Sequence, residues 1–137
     1  MQSIFKIMSL LVALVLLPFG PLMAAAPEHV DGATTISVDE AYEHFEQGLP
    51  FVDVRKPSDY DSGRIPGAVN LGLNENFSQE SLAAIAGKDE PVVFYCNGVA
   101  CERSSEASKM AISWGYTKVY YFYEGFPGWD NAGLPIE

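Results

Sequence analysis

Two cysteines are the side chains of this sequence with the greatest capacity for covalent chemistry. Cys96 and Cys101 are the only cysteines, and they lie five residues apart in the segment 96–105, CNGVACERSS. A cysteine reacts as its thiolate, so its surroundings must lower the pKa of the thiol. This segment combines a turn around Gly98 with a helix start near Arg103. Because turn N–H groups and a helix N-terminus both stabilise an anion, the pattern predicts a reactive thiolate at Cys96.

The same turn would hold an anionic substrate beside the sulfur of Cys96. Arg103, at the predicted helix start, can add charge-assisted hydrogen bonds to such an anion. A carboxylate near the sulfur would raise the pKa of the thiol, so we expect Glu102 to face solvent. The spacing is equally compatible with a small, buried Cys96 that only ends a strand.

Cys101 allows three interpretations from the sequence. As a resolving thiol, it attacks a persulfide or sulfenate on Cys96 and closes a disulfide. As a structural disulfide partner, it blocks the nucleophile, although a bridge over so short a loop stabilises little. As a core residue, it packs as a free thiol beneath the first helical turn. The residues alone leave all three open.

The elements that must position these cysteines alternate between short apolar strands and helices. Strands are predicted at Phe51–Val54, Ala68–Leu71, Val92–Tyr95 and Val119–Phe122, and helices after the capping box Ser37–Glu40, at Ser78–Ala86 and at Arg103–Trp114. Prolines and glycines between Lys56 and Gly67 predict an ordered loop with at most a helical turn. The alternation predicts one α/β domain with a mainly parallel sheet, in which sites form at the carboxyl ends of strands. Cys96 lies at such an end.

The charge balance excludes two classes of partner. The chain has 18 acidic and 8 basic residues, a formal net charge of −10, and no basic cluster. Such a surface repels nucleic acid and anionic membranes, so we expect neither as a partner. The two histidines, His29 and His44, are distant from each other and form no ligand motif, so no metal site is expected. No glycine-rich nucleotide motif is present, and no cofactor is predicted.

The start of the chain has the order of a secretory signal peptide, predicted over residues 1–26. One cation, Lys6, precedes an apolar run over 7–17 and the small residues Ala24–Ala26. The run is shorter than the ~20 residues of a membrane-spanning helix. We expect cleavage within Ala24–Ala26, a single domain over 27–137, and export to the periplasm or the extracellular space. Cleavage would leave no stable membrane span, whereas an uncut signal would tether the domain to the membrane.

Three separated motifs resemble the rhodanese family of sulfurtransferases. The amino-terminal motif comprises Phe51–Arg55 with Tyr60, Gly63, Arg64, Ile65–Ala68 and Asn70. The catalytic strand and loop correspond to Val93–Cys96 and the turn that follows, and the carboxy-terminal motif comprises Gly125–Trp129 with Ala132–Pro135. The resemblance spans Ile36 to Glu137. It implies a three-layer domain with a mainly parallel central sheet flanked by helices.

The resemblance also implies a two-step covalent sulfur transfer. Cys96 would take the outer sulfur of a donor such as thiosulfate as a persulfide and pass it to a thiophilic acceptor. That persulfide would be stabilised by the N–H groups of the loop, which belong to Asn97, Gly98, Val99, Ala100, Cys101, Glu102 and Arg103. The supporting residues are Asp53, Arg55 and Arg64, of which the first two are expected to organise loops rather than transfer protons. No histidine is expected to act as a base, and His44 is expected to be exposed on the first helix.

The loop departs from the commonest rhodanese pattern, which places an arginine five residues after the cysteine. Cys101 holds that position here, and Arg103 follows two residues later. The longer loop would take a larger donor or fold out of the way. The expected partners are a small sulfur-containing anion, a thiol acceptor, or a partner protein.

Two other functions remain open from the sequence. The chain could be a non-catalytic rhodanese-like binding or sulfur-carrier module whose partner supplies the catalysis, although the presence of Cys96 weighs against it. It could also be a thiol–disulfide redox protein, or an arsenate/phosphate-type enzyme on the same fold, that uses Cys96 with Cys101.

Overall fold

One five-stranded sheet forms the centre of the molecule. The computed structural model describes residues 25–137. The strands are β1 (Ala33–Thr35), β2 (Phe51–Asp53), β3 (Val69–Asn70), β4 (Val92–Tyr95) and β5 (Val119–Phe122). They lie in the order β1-β5-β4-β2-β3, and every neighbouring pair is parallel. This sheet confirms the predicted α/β fold.

Helices accompany the strands in regular alternation. They are α1 (Val38–Glu46), α2 (Pro57–Ser62), α3 (Gln79–Ala83), α4 (Arg103–Ser113) and α5 (Gly125–Asn131). The predicted capping box starts α1, since the Ser37 hydroxyl accepts the N–H of Glu40 and the Glu40 carboxylate accepts the N–H of Ser37. These bonds satisfy donors that have no partner inside the helix.

The side chains of β4 divide the core into two layers. Val92 and Phe94 belong to one cluster of buried residues, whereas Val93 and Tyr95 belong to the other. Successive side chains of a strand point to opposite faces, so the next residue, Cys96, lies in the first cluster. That cluster includes the buried alanines of α4. The sulfur of Cys96 is therefore on the α4 side of the sheet.

Trp129 anchors the opposite layer. Its fully buried ring lies 5.3 Å from the ring of Phe45 and 6.2 Å from the ring of Phe51, measured between centroids. The indole N–H donates to the C=O of Pro135 at 2.7 Å, which gives the buried polar group its partner. This packing holds α5 against the sheet, next to the segment that follows β4.

Three elements differ from their predicted lengths by two residues or more. α2 has six residues rather than one turn at most, because Pro57 occupies a first-turn position where a missing N–H costs nothing. α3 ends at Ala83, after which the N–H of Ile85 donates to Leu82, three residues back, as the chain tightens. β3 is reduced to two residues because it is an edge strand that pairs with β2 alone.

His44 is half-buried, so the prediction that it is exposed is wrong. Its ring lies 4.4 Å from the ring of Tyr120, between centroids, because α1 packs against β5 at this point. Its Nδ1 is buried and has no hydrogen-bond partner within residues 25–137. The contact is a packing contact, on the layer opposite to the sulfur of Cys96.

The predicted signal peptide lies almost entirely outside the described residues. Ala26 is described, and it is only 4% exposed. Its N–H donates to the C=O of Val99 at 2.8 Å, so Ala26 packs with the folded domain. In the part of the chain that the structure describes, no helix is both long and apolar enough to cross a membrane.

Candidate active site

The loop after β4 has the strand–turn–helix arrangement that the sequence predicts. Cys96 follows the last residue of β4 and is 1% exposed. Its C=O accepts the N–H of Phe126 at 2.9 Å, which ties the loop to α5. The N–H of Cys101 donates to the C=O of Gly98 at 3.0 Å, and this bond closes the turn before α4 begins at Arg103.

A disulfide joins Cys96 to Cys101, whose Cα atoms are 6.2 Å apart. That separation is ordinary for a disulfide. Cys101 also packs, half-buried, against the core cluster that contains Cys96. The bond fits the resolving-thiol and structural-disulfide interpretations, whereas the third interpretation matches the packing of Cys101 but not its bonding. Cys96 must be released from this bond before it can act as a nucleophile.

Two glycines allow α5 to approach the loop closely. Gly125 has φ of +62°, and a Cβ there would overlap the C=O of Cys96 and lie 2.8 Å from the nitrogen of Gly98. Gly98 has φ of +103°, and its Cβ would lie 3.3 Å from the C=O of Glu124. A residue with a side chain would have a strained backbone at such φ values. Its Cβ would also meet the atoms that already fill the space beside each glycine. The start of α5 therefore supports the loop from one side.

The turn retains N–H donors for an anion, although one of those predicted is already used. The N–H of Cys101 is bound to Gly98. The N–H groups of the other turn residues donate to no backbone acceptor within residues 25–137: Asn97, Gly98, Val99 and Ala100. Glu102 is exposed, as expected, and its side chain caps no N–H of α4. Donors in a turn of this kind can stabilise a thiolate or a persulfide.

Arg55 links three segments around the loop. It is 3% exposed and pairs with the fully buried Asp53, with Nη2 and Oδ2 2.6 Å apart. Nη2 also donates to the C=O of Gly63 at 2.7 Å, and Nη1 donates to the side-chain oxygen of Asn97 at 3.3 Å. The amide of Asn97 in turn donates to Asp59 at 2.9 Å. Through these contacts, Asp53 and Arg55 hold neighbouring loop segments together; that they support the reaction in this way stays a prediction.

Arg103 reaches the loop region but is already bound. Its guanidinium donates to the two carboxylate oxygens of Glu75 at 3.0 and 3.4 Å and to the C=O of Val54 at 3.2 Å. The hydrogen bond from Arg103 holds the pKa of Glu75 below its ordinary value. An anionic ligand would therefore compete with Glu75 for this guanidinium. The sequence does not predict this competition.

A cavity of about 370 Å³ opens beside the loop. Its lining contains three cations, one carboxylate and one of the two cysteines: Arg55, Lys56, Asp59, Asn97, Ala100, Cys101 and Arg103. Cys96 does not line it. The excess of positive charge favours an anionic ligand, and the volume is typical of sites for small molecules.

Arg64 lies apart from this cavity. Its main chain exchanges two hydrogen bonds with Glu137, at 3.1 and 2.9 Å, and its guanidinium lies 4.6 Å from the centroid of the Tyr60 ring. Arg64 therefore fixes the end of the described chain and does not contribute to the cavity. Among residues 25–137, no group of three or more His, Cys, Asp or Glu could hold a metal ion.

Three residues of the site were missed by the sequence analysis. Lys56 and Asp59 could have been found, because they follow β2, whose carboxyl end lies beside that of β4 in a parallel sheet. No comparable pattern in the sequence indicates Glu75. Its contact with Arg103 joins positions 28 residues apart and depends on how the segment before α3 packs.

The family of this chain follows from comparison with known proteins. Residues 37–132 match the family model of the rhodanese-like domain, so the chain belongs to the rhodanese-like domain family. Thiosulfate sulfurtransferase GlpE of Haemophilus influenzae is 31% identical over 103 residues, which cover 74% of this chain and 92% of that protein. An HTH-type transcriptional regulator of Mycobacterium tuberculosis is 36% identical over 89 residues, which cover 65% of this chain but only 38% of the regulator.

A solved structure shares the fold. The BH2092 protein of Bacillus halodurans superimposes with a TM-score of 0.67 over 77% of each chain, at 21% identity. At this identity the likeness shows the fold alone. Together with the family match, it assigns the parallel sheet described above to the rhodanese-like α/β fold.

Proposed function

We propose that this protein is a sulfurtransferase whose Cys96 carries sulfur from an anionic donor, such as thiosulfate, to a thiophilic acceptor. The observation that carries the proposal is the position of Cys96, at the carboxyl end of β4 in a turn that leads into α4. The cation-rich cavity beside that turn supports an anionic donor. The similarity to a thiosulfate sulfurtransferase supports the same chemistry.

The first step requires Cys96 as a free thiolate. Its sulfur attacks the outer sulfur of thiosulfate, so that a new S–S bond forms while the bond inside thiosulfate breaks and sulfite leaves with the electron pair. The acceptor then takes the outer sulfur and returns Cys96 to the thiolate. Turn N–H groups and the start of α4 would stabilise this thiolate, so no separate base is needed.

We assign Cys101 the role of resolving thiol, which the Cys96–Cys101 disulfide supports. The thiolate of Cys101 attacks Sγ of the Cys96 persulfide. The Cys96–Cys101 bond forms, the bond to the outer sulfur breaks, and that sulfur leaves as hydrosulfide. This resolution occurs when no acceptor has taken the outer sulfur, and the disulfide is then the state in which the cycle ends.

Intact mass spectrometry of prereduced protein tests the sulfur-carrying step. After treatment with thiosulfate, the variant Cys101→Ser should gain one sulfur, about 32 Da, because it can form the persulfide but cannot resolve it. Cys96→Ser is the matched control and should gain none. A prereduced Cys101→Ser that stays at its original mass would overturn the proposed function.

Wild-type protein tests the role of Cys101 in the same experiment. We expect it to return to the disulfide and to release hydrosulfide, without a lasting adduct. If wild type keeps the added sulfur as long as Cys101→Ser does, Cys101 is not a resolving thiol.

The disulfide also favours one second candidate, a thiol–disulfide redox protein that uses the same two cysteines. Such a protein would exchange electrons with dithiols without carrying sulfur. In that case the prereduced protein would gain no sulfur from thiosulfate. The oxidised wild type would oxidise a dithiol, whereas neither serine variant would.

We further propose that the protein is exported, from the residue order of its first 26 positions. Fractionation of expressing cells, followed by intact mass measurement, tests this. A shortened chain in the periplasm or the medium is expected, and a full-length chain confined to the cytosol would overturn it.

A further inference from the structure

We propose that a small anionic thiol reopens the disulfide by entering the cavity and attacking Cys101, with Cys96 as the leaving thiolate. The inference rests on the proposed function, because a cycle that ends as a disulfide needs an external thiol to restart. It adds to that function the sulfur at which the reductant enters and the chemical class of the reductant.

Burial distinguishes the two sulfurs of the bond. Cys96 is 1% exposed and lies within the core cluster on the α4 side of the sheet. Cys101 is half-buried and lines the cavity. A thiolate must reach the sulfur that it attacks, so access favours Cys101.

The stability of the leaving thiolate points the same way. Exchange is faster when the departing thiol has the lower pKa. Cys96 begins the turn, and the N–H groups of residues 97–100 donate to no backbone acceptor within residues 25–137, so they can stabilise its thiolate. The N–H of Cys101 already donates to the C=O of Gly98. Cys96 is therefore the better leaving group of the pair.

The charges of the cavity identify the kind of thiol. Arg55 is paired with Asp53, and Arg103 is paired with Glu75. Lys56 is exposed and forms no ion pair within residues 25–137, and Asp59, the one carboxylate of the lining, accepts the amide of Asn97. The ammonium group of Lys56 can attract a carboxylate, although the chain as a whole carries a net charge of −10. The site therefore favours a small thiol that bears a negative charge.

The two exchange steps balance without any other reagent. The entering thiolate forms a bond to Sγ of Cys101, the Cys96–Cys101 bond breaks, and Cys96 departs with the electron pair. A second thiolate attacks the sulfur of the bound thiol and forms the symmetric disulfide of the reductant. Cys101 leaves as a thiolate and takes a proton from solvent. The protein is reduced by two electrons, and two thiols are oxidised.

Trapping the mixed disulfide tests the point of entry. Oxidised wild-type protein is mixed with 3-mercaptopropionate, quenched within milliseconds to seconds with N-ethylmaleimide, and mapped by tandem mass spectrometry. We expect maleimide on Cys96 and mercaptopropionate on Cys101. The opposite placement would overturn the inference.

Rates of disulfide reduction test the charge argument and decide the case if the adduct is too short-lived to trap. Three thiols of similar size are compared at equal thiolate concentration, each rate being divided by the rate with a small-molecule disulfide so that intrinsic nucleophilicity cancels: 3-mercaptopropionate, 2-mercaptoethanol and cysteamine. We expect the anionic thiol to be faster than the neutral one by about threefold at low salt, and the advantage to vanish at high salt.

Two variants with the same change of charge make the comparison specific. Lys56→Gln should lose the advantage of the anionic thiol, whereas Lys118→Gln should keep it. Lys118 directly precedes β5 and so lies at the amino ends of the strands, whereas Lys56 follows β2 at their carboxyl ends. Equal rates for all three thiols in wild type, or equal effects of the two variants, would overturn the inference.

The persulfide assay on prereduced protein keeps the two proposals distinguishable. If Cys101→Ser gains sulfur but the mixed disulfide lies on Cys96, only the route of reduction is wrong. If no sulfur is gained while the adduct lies on Cys101, the route holds and the proposed function fails.

Discussion

Arg55 illustrates at the residue scale why a charged pair is buried beside the cysteine loop. Its guanidinium is bound by Asp53, Gly63 and Asn97, and it lies 4.5 Å from the centroid of the Phe126 ring. A planar group with five donors can hold several loops at once. The pair therefore sets the positions of the segments that line the cavity.

Breaking this pair should cost far more than breaking an exposed one. Asp53→Asn leaves the charge of Arg55 buried and uncompensated, so we expect a loss of about 3–5 kcal/mol in the free energy of unfolding. Glu137→Gln, which removes the half-exposed partner of Arg64, should cost less than about 1 kcal/mol. Urea unfolding followed by circular dichroism measures both, and equal losses would contradict the role given to Asp53.

Glu75 should limit the use of Arg103 for substrate. Glu75→Gln removes the carboxylate that competes with an anionic donor for the guanidinium. We therefore expect a severalfold lower KM for thiosulfate with little change in kcat. Steady-state kinetics with a thiol acceptor measures this, and an unchanged or higher KM would show that the donor does not contact Arg103.

The ion pair between Glu75 and Arg103 also makes the free energy of unfolding depend on pH in a direction that can be predicted. Arg103 lowers the folded-state pKa of Glu75, so its contribution is complete above the ordinary Glu pKa of about 4.3 and is lost as pH falls through the lowered value. Wild type should thus exceed Glu75→Gln in stability by a constant amount between neutral pH and about pH 5. The difference should shrink in more acidic buffer, and thermal melts at several pH values measure it. A difference that grows on acidification would have the wrong sign.

At the scale of elements, the loop depends on its contact with the start of α5. Gly125 and Gly133 both have positive φ, +62° and +72°, but only a Cβ at Gly125 would meet the loop. Gly133→Ala carries the conformational cost alone, about 1 kcal/mol. Gly125→Ala adds the overlap with Cys96, so we expect it to cost at least about 2 kcal/mol more. Comparable unfolding midpoints for the two variants would mean that the close approach is not needed.

The segment before β1 supports the same loop from another direction. Besides the bond from Ala26 to Val99, the hydroxyl of Tyr121 donates to the C=O of Pro27 at 2.7 Å. A chain that starts at Pro27 loses the first bond and the buried methyl of Ala26. We expect it to melt roughly 4 °C below a chain that starts at Ala25. Identical melting temperatures would show that Ala26 contributes nothing.

At the scale of the whole molecule, the fold should not depend on the disulfide. The bridge joins residues five positions apart, and for so short a loop the loss of chain entropy gives about 2 kcal/mol. Apart from Cys96, the buried residues of the core clusters on both sides of the sheet take no part in the bond. The bond is therefore available for chemistry without loss of structure.

Reduction should accordingly leave a folded protein. We expect the reduced form to keep its far-UV circular dichroism spectrum and to lose about 2 kcal/mol or less of unfolding free energy. Cys101→Ala should behave like the reduced wild type, since it lacks the bridge without an added hydroxyl. Unfolding on reduction would instead make the disulfide structural.

Much of this architecture could be predicted because its signals are local. The four apolar residues of β4 are buried, and α4 begins at Arg103, where a turn and a change in hydrophobic periodicity indicate it. The length of α2 and the burial of His44 could not be predicted. Pro57 can start a helix or a turn, and the ring of His44 is covered by Tyr120 from a strand distant in sequence.

The family, the parallel α/β fold and the place of Cys96 after a buried strand can all be inferred from the residues alone. These follow from periodicity, capping and motif spacing, which act over a few residues or are repeated along the chain. The exposure of Cys101 to the cavity and the ion pair between Glu75 and Arg103 become visible only in the folded molecule. Such contacts join segments far apart in the chain, and their geometry depends on how the helices and loops pack around the sheet.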